Sequence, residues 1–193
     1  EVPVISRFSP KRNENAEQQL VELIKQNYNH PSIFCWGIEN EITIAGSASK
    51  KLITFLKHMH KVARHLDPTR YTTCAQLTMC PVNSPLNHIT DIIGYNHYYG
   101  MGSCDEINNW LDEWHRENPE GKLCLSEYGA EGITKYHSDS PVQGDYSEDY
   151  QAIYHEHYIK SINERDWLWG SYVWNMFDFG SASRNEGGVR GRN

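Results

Sequence analysis

The chain has 193 residues, a length that suits one domain with a sizeable hydrophobic core. Its 18 basic and 25 acidic residues give a formal charge of −7, and no Lys/Arg cluster interrupts that balance, so neither nucleic acid nor an anionic membrane surface is expected as a partner. Every apolar run falls well short of the roughly 18 residues that a membrane-spanning helix needs, so no such helix is predicted.

Cysteine and histidine spacing indicates neither a disulfide framework nor a metal site. The five cysteines are odd in number, irregularly spaced and without a C-x-x-C pair, which predicts free buried thiols. Two histidine pairs, His58/His60 and His155/His157, are spaced i, i+2 on predicted helices and therefore point to different faces. No metal ligand set is predicted. The first residues show no basic region of a signal peptide, and the sequence leaves the compartment unknown.

The first half of the chain predicts two helix–strand pairs. Apolar residues at helical spacing predict a helix over about 15–27, and the apolar run 33–38 predicts a buried strand. Small polar residues at 46–49 can cap a second helix, which Asp67-Pro68 ends. The β-branched and aromatic segment 71–75 predicts the next strand.

The second half continues this alternation. Strands are predicted at 92–95, 123–126 and 171–174, with a helix around 107–114 and another capped by Ser147. Segments 81–87, about 134–145 and 179 onward are predicted loops. Such alternation indicates an α/β fold with a parallel sheet and outer helices.

Polar residues gather where the predicted strands end: Asn40/Glu41, Asn96/Tyr98, Glu127 and Trp174/Asn175. In an α/β barrel this edge of the sheet carries the active site, but a doubly wound sheet would use the same edge. Two carboxylates on one rim are the minimum for cleaving a glycosidic bond, one as acid and one as nucleophile. The alternative is that each glutamate caps a helix or pairs with an arginine.

Four motifs resemble glycoside hydrolase family 2. Residues 29–33 and 36–41 resemble its N-H-P-S-V…W-x-x-x-N-E signature, and Ser126–Ala130 resembles its nucleophile strand. Residues 96–100 and 174–179 resemble its sixth and last barrel strands. The motifs occur in the family's order over the length of the chain.

The resemblance implies a retaining glycosidase and assigns site residues one by one. Glu41 matches the general acid/base and Glu127 the nucleophile. The implied substrate-binding residues are Asn40 for the sugar 2-hydroxyl, Tyr98 for holding the nucleophile, Trp174 as platform beneath the sugar, and Asn96, Glu131 and Arg184 as further pocket residues. It also implies a non-proline cis peptide at Trp174–Asn175. His97 is expected at the pocket rim.

Glu39 departs from the family pattern, in which many members have a small residue at this position. Strict strand alternation would put Glu39 on the same face as Glu41, making it a rival acid. The Asn-Glu match favours Glu41 as the acid.

Against the family pattern, the chain runs from the end of barrel strand three through strand eight of a (β/α)8 TIM barrel, as a single partial catalytic domain over 1–193. The family's N-terminal β-sandwich domains and first barrel strands are expected to be absent from these residues. The rest of its own polypeptide is then needed to complete the barrel. Alone, the chain is expected to expose sheet edges, to be poorly stable and to lack activity.

The tail 179–193 resembles that of the β-galactosidase branch, which implies an exo-acting β-galactosidase that hydrolyses a β-linked saccharide. Three arginines in this tail keep β-glucuronidase as the alternative, with β-mannosidase behind it. A non-catalytic carbohydrate-binding barrel is the alternative from another class. No cofactor is required by the predicted chemistry, although the family allows a structural or modulating Mg or Na ion.

Overall fold

A computed structural model describes residues 1–3, 9–46, 48–98 and 105–177 of the chain. The predictions for Arg184 and for the tail from 179 onward lie outside the described residues.

Five parallel strands form one sheet in the order in which they occur along the chain. The elements are α1 (Pro10–Asn27), β1 (Cys35–Asn40), α2 (Lys50–Leu66), β2 (Tyr71–Leu77), β3 (Ile92–Asn96), α3 (Asp105–Glu117), β4 (Leu123–Tyr128), α4 (Glu148–Asn163) and β5 (Gly170–Val173). Two 3₁₀ helices, Ile42–Ala45 and Pro85–His88, lie in segments without a predicted element. A doubly wound sheet would reverse its strand order at a switch point. The sequential order is that of a barrel wall.

Helix starts follow from their capping residues. Ser9 caps α1 with Pro10 in its first turn, so this helix begins five residues before the predicted start at 15, where the apolar spacing becomes visible. Ser49 caps α2 and Ser147 caps α4 by accepting a backbone N–H three residues on, which confirms both predicted caps.

The core lies between the sheet and its helices. The largest fully buried side chains come from both layers and include Leu20, Ile38, Met59, Tyr95, Trp114 and Tyr158. Burying each such side chain contributes about 1.5–3 kcal/mol. The helices pack against one side of the sheet and hold the strands in place. Polar groups can therefore lie on the opposite side and at the strand ends.

A buried carboxylate joins β1 to the end of α2. Asp67 Oδ2 accepts a hydrogen bond from Trp36 Nε1 at 2.9 Å and forms an ion pair with Arg70 Nη1 at 2.7 Å. Burial alone would raise the pKa of Asp67, but hydrogen bonds from Thr69, Arg70 and Trp36 hold that pKa well below its usual range. The start of β1 is therefore anchored at the end of the sheet away from the glutamates.

The described cysteines, Cys35, Cys74, Cys80 and Cys124, are free thiols as predicted, with Cys35 only half-buried. His58 contacts Glu17 on α1 whereas His60 contacts Thr72 on β2, confirming that they point to different faces. Among the described residues no group of three or more His, Cys, Asp or Glu could hold a metal ion. No helix in the described part of the chain is long and apolar enough to cross a membrane.

Candidate active site

A β-bulge at the end of β1 sets the positions of its polar residues. Gly37 pairs with Thr73 and Asn40 with Ala75, so three steps along β1 match two along β2. The expectation of strict alternation is therefore wrong. Glu39 is fully buried and its Oε2 accepts from Ile42 N at 2.9 Å, whereas Glu41 is half-buried and reaches a partner on β3. Glu39 is not a rival acid in this geometry.

The amide of Asn96 joins the two polar side chains at the end of β1. Its Nδ2 donates to Asn40 Oδ1 and to Glu41 Oε1, both at 3.0 Å. Its Oδ1 accepts from Ser126 Oγ at 2.8 Å. Asn40 Oδ1 and Glu41 Oε1 both accept, so they determine that Nδ2 faces them, and the Ser126 hydroxyl satisfies the amide oxygen on the other side. Three strands thus meet at one buried amide.

Ser126 is a site residue that sequence reasoning missed, although it stands beside Glu127 in the nucleophile-strand motif. Gly94 on β3 makes room for it, because a Cβ at position 94 would lie 2.7 Å from Ser126 Oγ. In the sequence, the only indication was a glycine, Gly94, on the strand predicted to lie beside that of Ser126.

Glu127 is held by a phenol. Tyr98 OH donates to Glu127 Oε2 at 2.5 Å, and the backbone carbonyl of Glu127 accepts from His97 N at 2.8 Å. Tyr98 is in turn placed by Thr78, whose Oγ1 accepts from Tyr98 N at 3.1 Å and donates to the carbonyl of Asn96 at 2.6 Å. Thr78 is a second residue that sequence reasoning missed. It supports contacts to both glutamates.

Burial and charge act in the same direction on Glu127. Burial raises the pKa of Glu127, and the nearby charges of Glu41 and Glu1 raise it further, whereas hydrogen bonds from Tyr98 and, more weakly, Asn96 lower it. Burial and the contact with Glu127 also raise the pKa of Tyr98. The phenol therefore stays protonated and acts as a donor.

Trp174 and Glu131 lie in the segments that follow β5 and β4. Trp174 follows β5 with its ring half-exposed, and the predicted cis peptide at Trp174–Asn175 is present. A Cβ at Gly129 would collide with the carbonyl oxygen of Trp174, so the chain after β4 can approach this peptide only with glycine there. Glu131 is half-buried in the loop beyond β4, next to Ala130, whose carbonyl accepts from Gln151 of α4.

His97 lies in the core, so its expected place at the pocket rim is wrong. It is fully buried, its Nδ1 lies 3.1 Å from Tyr158 OH, and its ring packs against Trp110. Burial lowers its pKa to about 3, so the ring is neutral. Because Asn96 and Tyr98 point to the site, the residue between them points to the helices.

Comparison with known proteins decides the family. Residues 5–189 match the family described as glycosyl hydrolases family 2, TIM barrel domain. The chain belongs to this family. A β-glucuronidase of Bacteroides fragilis is 43% identical over 188 residues, covering 93% of this chain and 26% of that protein. The sequence prediction of a partial α/β barrel of glycoside hydrolase family 2 is confirmed.

Solved structures of family members agree. A crystal structure of an FMN-binding β-glucuronidase from Faecalibacterium prausnitzii has a TM-score of 0.91 at 46% identity, covering 100% of this chain and 30% of that one. A Bacteroides fragilis structure described as a candidate β-galactosidase has a TM-score of 0.78 at 34% identity, covering 94% and 28%. The chain spans about a quarter of the length of the curated family 2 relatives that it matches.

Proposed function

We propose that this chain carries the catalytic glutamates of a retaining β-glycosidase, most specifically a β-glucuronidase. The observation that carries the proposal is the position of Glu41 and Glu127 at one sheet edge, where Glu41 accepts a hydrogen bond from Asn96 and Glu127 accepts one from Tyr98. Two carboxylates on one barrel rim are what a double displacement at an anomeric carbon requires.

In the first step Glu127 is the nucleophile. Its carboxylate attacks the anomeric carbon while Glu41 gives its proton to the glycosidic oxygen, and the bond between that carbon and oxygen breaks with its electron pair on the leaving group. Tyr98 suits this role, because its phenol stabilises the ionised carboxylate until the attack. The product is a glycosyl ester on Glu127.

In the second step Glu41 is the base. It removes a proton from water, the resulting oxygen attacks the anomeric carbon, and the ester bond to Glu127 breaks. The sugar leaves with its original configuration because two inversions have occurred. Both steps use carboxylates only, so the proposed mechanism needs no cofactor, and a structural Mg or Na ion is compatible with it.

Substrate contacts are assigned from the same edge. We assign Asn40, whose Oδ1 accepts from Asn96, to the sugar 2-hydroxyl, which its Nδ2 can bind. Trp174 offers a ring face as platform, with Glu131 and Arg184 as further pocket residues. No nucleic acid or membrane partner is part of the proposal.

β-Glucuronidase is preferred to β-galactosidase because of the relatives. The β-glucuronidases of Bacteroides fragilis and Faecalibacterium prausnitzii are 43% and 46% identical to this chain. The candidate β-galactosidase of Bacteroides fragilis is 34% identical and keeps β-galactoside as the second candidate substrate. Relatives thus favour the sugar that the sequence had placed second.

The chain forms the later part of the barrel. The described residues supply five parallel strands of the eight that a TIM barrel needs. We therefore propose that further segments of the same polypeptide close the barrel and complete the pocket, and all activity tests below use the complete polypeptide that contains this chain.

The roles of the two glutamates can be separated by the stereochemistry of rescue with azide. With Glu127→Ala, hydrolysis of an activated aryl β-glucuronide should fall by about 10⁴-fold or more, and azide should give the α-glucuronyl azide by single displacement. With Glu41→Ala, azide should instead give the β-glucuronyl azide, since the glycosyl ester still forms.

Nitrophenyl glucuronide, galactoside and mannoside tested on the unmutated protein would assign the sugar. Near-full hydrolysis by Glu127→Gln would exclude Glu127 as nucleophile. Binding of saccharides without turnover of any glycoside would support a non-catalytic carbohydrate-binding barrel instead.

A further inference from the structure

Glu39 is a buried acid that the proposed mechanism does not use. It is the penultimate residue of β1 and has no solvent exposure. No ion pair within the described residues involves it, and its Oε1 has no hydrogen-bond partner there. A buried carboxylate in that position is costly as an anion. An interaction that offsets this cost is therefore expected close to Glu39, two residues before Glu41.

The surroundings of Glu39 favour its neutral form. Burial raises the pKa of Glu39 to about 8, the N–H of Ile42 opposes this, and the charges of Glu1 and Glu41 add to it. On β2 and beyond, the groups coupled to it are the thiols of Cys74 and Cys80. At neutral pH Glu39 is thus a carboxylic acid whose oxygen accepts from Ile42 N.

The hydrogen bond between Glu39 and Ile42 closes over Glu41, the proposed acid. Ile42 N donates to Glu39 Oε2 at 2.9 Å, so the bond closes a short ring around Asn40 and Glu41. Glu41 itself has φ of 47°, in the left-handed region that a residue with a side chain rarely adopts. Such a conformation persists only when its neighbours hold it.

Backbone bonds hold the same turn from outside. Glu41 N donates to the carbonyl of Ala75 at 2.9 Å, and the carbonyl of Glu41 accepts from Ile44 N at 2.9 Å. Ile42 is buried at 3% exposure and anchors the 3₁₀ helix in the core. The Glu39 carboxyl group adds a side-chain contact that ties this helix to β1.

We propose that Glu39 is a positioning residue, which holds the turn that presents Glu41 to the glycosidic oxygen through its hydrogen bond to Ile42 N. The proposal rests on the proposed function, because it assumes that Glu41 is the proton donor. Glu39 does not touch the substrate in this account.

The test compares substrates that need the acid with substrates that do not. Phenoxide is a poor leaving group and needs protonation, whereas 2,4-dinitrophenoxide leaves without it. Glu39→Met keeps the volume and removes the acceptor, and Glu39→Asp draws the carboxyl group back from Ile42 N. For each, kcat/KM for phenyl β-glucuronide should fall about tenfold more than for the dinitrophenyl substrate. Glu39→Gln keeps an oxygen acceptor and should stay near the unmutated protein.

Asp67→Asn is the matched control, since Asp67 is a buried carboxylate at the opposite end of β1. It should lower Tm while changing kcat/KM for the two substrates by the same factor. Equal losses on both substrates in Glu39→Met and Glu39→Asp would overturn the positioning role. A loss in Glu39→Gln as large as in Glu39→Met would also contradict it. Failure of the unmutated protein to hydrolyse any glycoside would instead overturn the proposed function.

Discussion

Glu41 and Glu127 are the same residue type at one edge of one sheet, yet the chain holds them differently. Glu127 lies inside β4 in extended backbone, and its carboxylate accepts from a phenol at 2.5 Å. Glu41 lies one residue beyond β1 in left-handed backbone, and its carboxylate accepts from an amide at 3.0 Å. One glutamate is fixed by a strand and the other by a turn.

This difference matches two different chemical tasks. A phenol is a more acidic donor than a primary amide, so its short bond favours an ionised acceptor more strongly. Glu127 is thereby suited to attack as an anion. The amide of Asn96 occupies one oxygen of Glu41 and leaves the other for a proton. We propose that position within a strand and the choice of donor together distinguish the nucleophile from the acid in otherwise similar surroundings.

Among the contacts that hold the two glutamates, the phenol should have the largest effect when it is removed. Tyr98→Phe deletes the donor to Glu127 and should lower kcat/KM by about 10–100-fold, since a hydrogen bond to a charged group contributes about 1.5–3 kcal/mol. The loss should be equal for phenyl and dinitrophenyl glucuronides, because the nucleophile serves both.

The pH profile of Tyr98→Phe gives an independent check. The hydroxyl stabilises the ionised form of Glu127, so its loss raises the pKa of Glu127 further. Activity needs the ionised form, and the acidic limb of kcat/KM against pH should therefore move to higher pH. An acidic limb that stays in place would show that the phenol does not act on Glu127.

Thr78 should affect both glutamates. Thr78→Val keeps the shape but removes a hydroxyl that binds Asn96 O at 2.6 Å and Tyr98 N at 3.1 Å. We expect a loss of about 1–3 kcal/mol in transition-state stabilisation because two backbone groups lose their partner. Unlike Tyr98→Phe, it should cost more with the phenyl than with the dinitrophenyl substrate. If Thr78→Val, like Tyr98→Phe, lowered kcat/KM equally for the phenyl and dinitrophenyl substrates, Thr78 would support Glu127 alone.

The polar residues at the strand ends could be predicted from the sequence, but the hydrogen bonds that join them could not. Glu41, Glu127 and Tyr98 stand in motifs after apolar runs, where chemistry is expected. The bulge at Gly37–Asn40 breaks the period of two on which face assignment relies, which is why Glu39 was placed beside Glu41.

Long-range side-chain contacts have no local signal. Thr78 binds backbone atoms 18 and 20 residues further along the chain. Ser126 reaches an amide 30 residues before it. Both contacts exist because parallel strands bring their carboxyl ends together. Which residues then face each other depends on the strand register, and that register is set by packing of the whole sheet. His97 shows the same limit, because its direction follows from which neighbours face the site.

Ser126→Ala should have the smallest effect and should act mainly on Glu41, whose Oε1 lies 3.0 Å from Asn96 Nδ2. Without the hydroxyl, Asn96 Oδ1 loses its 2.8 Å partner, so the amide that donates to Glu41 is held less firmly. A neutral hydrogen bond contributes about 0.5–1.5 kcal/mol, so kcat/KM for phenyl β-glucuronide should fall about 2–12-fold, with a smaller change for the dinitrophenyl substrate.

Ser147→Ala is the control for Ser126→Ala, since that hydroxyl caps α4 by accepting from Tyr150 N at 3.0 Å. It should cost about 1 kcal/mol of stability and leave both kcat/KM values unchanged. If Ser126→Ala instead lowered kcat/KM equally for both substrates, the serine would act on its neighbour Glu127. The proposed difference between the contacts that hold the nucleophile and those that hold the acid would then be wrong. A selective loss on the phenyl substrate places Ser126, although adjacent to the nucleophile in sequence, in the support of the acid.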